Sequence, residues 1–137
     1  MQALLEVLQS HHLIHQYVPG RYSMHDLVHL YASERCTGDM SADDRGRDLR
    51  RLVAFYLHTT NSADLTLFPR RTPLALDGPP FGCLPKEFDD MTSALAWLKG
   101  EYRCLLAAQE LAAASGWDTQ TWQLAWTLDT FYGARDF

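Results

Sequence analysis

Apolar residues recur along this chain at helical spacing in five places and flank a turn in one. Residues 2–11 set Leu4, Leu5 and Leu8 on one helical face. Two short runs follow, Leu13-Ile14-His15-Gln16-Tyr17-Val18 and Arg21-Tyr22-Ser23-Met24, rich in branched and aromatic residues. They flank Pro19-Gly20, a turn dipeptide, and together predict a β-hairpin. A second helix is expected from near Asp26 to about Cys36, with Leu27, Leu30 and Tyr31 on one face and Gly38 as its stop. A third begins near Ser41 or Asp43 and runs to about Leu65. Ser41 suits the N-cap, Asp43 and Asp44 favour the positive helix start, and Leu49, Leu52, Val53, Tyr56 and Leu57 form an apolar stripe.

The periodicity then stops. Residues 68–88 hold Pro69, Pro73, Pro79, Pro80 and Pro85 with Gly78 and Gly82. A connection this long is uncommon inside a compact domain. It reads as a strap, tacked to helices by Leu74, Leu76, Phe81 and Leu84. Helical spacing resumes after Asp89 or Asp90, either of which suits an N-cap, through Leu95, Leu98, Tyr102, Leu105 and Ala112. Gly100 is a point of possible break or bend. Gly116 is placed as a helix stop and Asp118 as the next N-cap, ahead of Trp122, Leu124, Ala125, Trp126, Leu128 and Phe131. The last two helices make an αα-hairpin.

Helix, hairpin, helix is the closing part of a winged-helix unit, whose first two helices are expected before Met1. The last helix is apolar over more than half its circumference and has one obvious neighbour, so a further helix is expected after Phe137. The fold class is mainly α. The expected divisions are 1–38, the end of a winged-helix subdomain; 39–67, a connecting helix; 68–88, a Pro-rich linker; and 89–137, a helical start.

Composition narrows the function. The chain has 137 residues, 47% hydrophobic and 21% charged, with a net charge of −5. Such a chain can bury a real core. Its negative charge disfavours phosphate-neutralising contact with nucleic acids or anionic membranes. No apolar run nears the roughly 20 residues of a membrane span. The first ten residues lack the features of a signal peptide. Cys36, Cys83 and Cys104 are odd in number and far apart, which suits reduced thiols in the cytoplasm.

Met24-His25-Asp26 carries the most chemistry. It sets an imidazole and a carboxylate where a hairpin strand meets a helix. Backbone donors at a helix start attract anions, and His adds a further donor. The plainer alternative is that Asp26 caps the helix and His25 is an ordinary polar residue. His25-Asp26-Leu27-Val28-His29 also imitates the His-Glu-x-x-His zinc motif. Asp is one methylene shorter than Glu, and no third ligand follows at a known spacing. Arg45, Arg47, Arg50 and Arg51, interspersed with Asp44 and Asp48, read as a solvated helix face with local ion pairs. The four tryptophans read as packing.

The order Leu4-Leu5-Glu6-Val7-Leu8, Leu13-Ile14 and Pro19-Gly20-Arg21-Tyr22-Ser23-Met24-His25-Asp26-Leu27-Val28-His29-Leu30-Tyr31-Ala32 resembles the winged-helix end of NB-ARC-class signal-transduction ATPases. Within them it is most similar to bacterial transcriptional regulators of the SARP/AfsR-like type. The likeness continues through residues 52–60, 68–69, 94–108 and 122–126. It implies that Met24-His25-Asp26 is the family's "MHD" motif. His25 would touch the β-phosphate of ADP in a closed state, and Asp26 would support the local geometry. The nucleotide-binding domain of the same parent chain would be the first partner. Tetratricopeptide-like repeats beginning in the last helices would hold protein partners. The sequence lacks the P-loop and the acidic Walker B strand of that class, so no ADP, ATP or other cofactor is expected to be held tightly here, and no enzyme activity is expected. DNA contact would belong to a domain this sequence does not contain. The alternatives are a zinc hydrolase using His25 and His29, or a stand-alone helical adaptor.

Overall fold

A computed structural model describes residues 1–135. They form five helices and one antiparallel hairpin: α1 (Gln2–Ser10), β1 (Ile14–Val18), β2 (Arg21–Met24), α2 (Asp26–Asp39), α3 (Ala42–Leu67), α4 (Met91–Ala114) and α5 (Asp118–Arg135). Asp136 and Phe137, the end of the expected 89–137 division, lie outside the described residues. The chain falls into two compact units, Met1–Gly46 and the part from Arg47 onward.

In the first unit α1 closes against β1 through a tight cap. The N–H of Leu13 reaches the carbonyl of Leu8 at 3.0 Å, and that of His12 reaches Gln9 at 3.0 Å. This is the Schellman arrangement, with His12 at φ 58 in the left-handed place usually held by glycine. The hairpin pairs Ile14 with Met24, His15 with Ser23 and Gln16 with Tyr22. An irregularity then brings Val18 opposite Arg21. Gly20, at φ 78, supplies the turn conformation that residues with a Cβ avoid.

The structure departs from the expected stop at Gly38. α2 runs through it to Asp39 and is capped by Met40, whose N–H bonds to the Cys36 carbonyl at 3.1 Å. A helical glycine costs about 1 kcal/mol relative to alanine, too little by itself to end a helix. The Arg35–Asp39 pair, 2.8 Å long, also spans this last turn.

The second unit is built on α3, α4 and α5. One cluster joins Ala63 and Leu67 of α3, Leu98 and Leu105 of α4, and Leu128 and Phe131 of α5. A second joins Val53 and Leu57 to Ala112 and Leu124. α5 therefore has two helical neighbours, not one: its buried residues fall against both α3 and α4. Trp122 and Trp126 stay 53% and 44% exposed on its outer side, so these two are not core. Leu52 of the α3 stripe is also exposed. α4 passes through Gly100 without a break, again because one glycine is a small cost beside a packed face. Asp90 caps α4, accepting from the Ser93 N–H at 2.7 Å. Gly116, at φ 74, closes it with the same bond pattern as His12. Asp118 lies inside the first turn of α5 rather than before it.

The segment from 68 to 90 has no regular structure, but it is anchored. Cys83 is buried, the Lys86 N–H donates to Thr59 Oγ1 at 3.1 Å, and Phe88 lies 5.7 Å from Trp97. Leu76 packs on the second cluster. Phe81 and Leu84, expected as tacks, are 95% and 85% exposed. The bend near Pro80 turns their side chains outward and presents Cys83 instead, whose N–H bonds to the Pro80 carbonyl at 3.0 Å.

Candidate functional site

The hairpin delivers His25 to the first turn of α2. His25 is the N-cap, with extended backbone at φ −61 and ψ 145, so the cap is His25 and not Asp26. Its Nδ1 accepts from the Leu27 N–H at 3.4 Å. Its carbonyl accepts from the His29 N–H at 2.9 Å. An accepting Nδ1 puts the proton of a neutral imidazole on Nε2. Asp26 is the acidic residue of the first turn, where the helix dipole favours it. Both side chains are exposed. The structure thus brings His25 and Asp26 together at a helix start. His29 lies inside the helix, one turn on. Among the described residues no group of three or more His, Cys, Asp or Glu side chains gathers into a metal site, so the zinc-like spacing finds no third ligand there.

Beside this junction the first unit is open. An apolar groove of about 390 Å³ runs between Leu8, Leu13, Ile14, Met24, Leu27 and Tyr31. Ile14 is the one buried hydrophobic residue among those described in this unit, while Leu27, Leu30 and Tyr31 are 71%, 60% and 64% exposed. The apolar face of α2 read from the sequence is therefore real, and no described residue of its own unit covers it.

The second unit holds a separate cavity of about 400 Å³ between α3, the strap and the start of α5. Arg50 lies over the Trp117 ring at 4.5 Å. Burial lowers the pKa of His58 below the usual imidazole value, and a hydrogen bond to the Asp77 backbone partly offsets this. Sequence reading missed this site, because Arg50 sits in a run of alternating charge that resembles a solvated face. The run does carry local pairing, as Arg51 with Asp48 at 3.3 Å shows.

The regulatory protein AfsR of Streptomyces coelicolor is 36% identical over 142 aligned residues, which take in 97% of this chain. The chain is homologous to one segment of the AfsR regulatory proteins. AfsR of Streptomyces griseus is also 36% identical, over 119 residues and 82% of the chain. The chain spans 13% and 12% of the length of these two relatives. No family model matches the chain, and no solved structure matches it either. Among the described residues no helix is long and apolar enough to cross a membrane.

Proposed function

We propose that this chain is a non-catalytic, cytoplasmic segment of a bacterial transcriptional regulator, in which His25 reads the diphosphate of a nucleotide held by another domain of the same protein. One observation carries this reading: the His25 ring stands exposed at the start of α2, with Nδ1 tied to the Leu27 N–H. That leaves Nε2–H as an outward donor at the positive end of a helix. These groups suit one side of a diphosphate, and the enclosing phosphate cradle is left to the nucleotide-binding domain. The bound nucleotide would supply the charge that this junction responds to. Asp26 holds the first turn, and the β1–β2 wing fixes where the imidazole sits. A contact stronger with ADP than with ATP biases a closed form, and exchange releases it. Homology to AfsR supports the regulatory role.

In this reading residues 1–38 end a winged-helix subdomain, and the open groove is the face that the rest of that subdomain covers. Residues 39–67 connect, 68–88 link, and 89–137 begin tetratricopeptide-like repeats that hold protein partners. DNA contact belongs to a domain elsewhere in the parent.

The test uses the full-length parent. His25→Ala is expected to weaken ADP retention and raise basal transcriptional activity. His25→Asn keeps an acceptor for the Leu27 N–H but shortens the reach, so it should preserve α2 and still lose ADP. Unchanged ADP affinity in both variants overturns the role.

A further inference from the structure

The cavity of the second unit is independent of the nucleotide reading and has a chemistry of its own. Its floor is apolar, made by Val53, Leu57 and Leu76, with Val53 and Leu57 1% and 4% exposed. Gln123 of α5 also lines it. This side chain is only 7% exposed. A largely buried amide gains from any hydrogen bond a neighbour supplies. A ligand in the cavity it lines is placed to supply such a bond.

Arg50 stands at the same cavity. Its guanidinium lies over the face of Trp117 and pairs with no carboxylate among the described residues. Stacking occupies the planar face and leaves the N–H edge available, the geometry that takes a carboxylate with two parallel bonds. The first-turn residues Thr119 and Gln120 add backbone N–H groups that have no acceptor within the helix. Against these donors stand Asp77 in the wall and Asp118 in the first turn of α5. Two carboxylates near one guanidinium leave no excess positive charge, which disfavours a phosphate dianion and requires a single carboxylate to meet the Arg50 N–H edge directly. The volume, about 400 Å³, falls within the range of small-molecule sites.

We propose that this cavity binds a small monocarboxylic acid with an aromatic or aliphatic body, its carboxylate on Arg50 and the start of α5, its body on Val53, Leu57 and Leu76, and a polar atom meeting Gln123. Such a ligand would join α3, the strap and α5, and so report a metabolite's presence through the packing of the second unit.

The test titrates the 137-residue chain with 3-phenylpropanoate and with its neutral counterpart 3-phenylpropanamide. The Gln123 side-chain amide and the Trp117 indole N–H are followed by NMR. The acid is expected to shift both signals saturably, with a Kd of about a few millimolar or tighter. The amide, and the acid with Arg50→Ala, are expected to bind about fivefold or more weakly, since the charge-assisted pair is lost. Gln123→Leu should also weaken binding, and Arg103→Ala, an exposed arginine on α4, should leave it unchanged. Spectra of the variants report directly whether each still folds. No saturable shift up to the solubility limit, equal binding of acid and amide, or equal loss in Arg50→Ala and Arg103→Ala would each overturn the proposal.

Discussion

Arg71 in the strap reaches Asp64 of α3 at 3.1 Å, and Asp64 is only 4% exposed. The same carboxylate oxygen accepts from Thr130 Oγ1 of α5 at 2.5 Å. Arg71 also donates to the Trp126 carbonyl at 2.8 Å and lies 4.5 Å from the centre of the Trp126 ring. One guanidinium thus ties strap, α3 and α5 around a buried charge. Removing Arg71 leaves that charge without its counter-ion. Arg71→Ala is expected to destabilise the second unit by about 3–5 kcal/mol, read by urea unfolding. The double variant Arg71→Ala/Asp64→Asn should recover part of this loss, because the stranded charge is gone. A loss under about 1 kcal/mol would mean that water already screens the pair.

His12 occupies a position built for glycine. A residue with a Cβ pays about 1–2 kcal/mol in the left-handed region. His12→Gly is therefore expected to stabilise the α1–β1 cap by roughly 0.5–1 kcal/mol, after the glycine's greater unfolded-state entropy is subtracted. Slower amide exchange at Leu13 is the local measurement. Gly116→Ala, at the matching position of α4, should destabilise.

His58 makes stability depend on pH. Burial lowers its folded pKa, so below the unfolded value of about 6.5 the unfolded chain binds more protons. Its contribution is complete above that value and is lost as pH falls through the folded pKa. Urea midpoints should decline as the pH falls from about 7 to below the unfolded value of about 6.5. In His58→Gln the decline over this window should be shallower. Parallel curves for the two proteins would exclude His58 as the source.

The two units should differ in local stability. Leu98, Leu105 and Leu124 are each 0–1% exposed in the second unit, whereas Ile14 is the one buried hydrophobic residue described in the first. Amides of α1, the hairpin and α2 are expected to exchange well before those of α4 and α5. Leu105→Ala should cost about 2–5 kcal/mol, while Phe81→Ser, at an exposed position, should stay within about 0.5 kcal/mol. Equal protection across both units would show that the first is held by more than its described contacts.

The local elements are legible in the order of residues. Pro19-Gly20 sets the hairpin, Asp90 and Gly116 bound α4, and the 3.6-residue spacing places Leu98, Leu105, Leu124 and Leu128 inside. That order also marks His25 and Asp26 as neighbours at a helix start. Each of these follows from bonds and sterics within a few residues. Packing alone sets the contacts between residues far apart in the chain: that α5 meets α3 as well as α4, that Asp64 is buried against Arg71 and Thr130, and that Arg50 stacks on Trp117. A guanidinium or carboxylate carries no local sign of which distant partner will desolvate it. Burial, and with it the energy of every such pair, exists only once the helices pack.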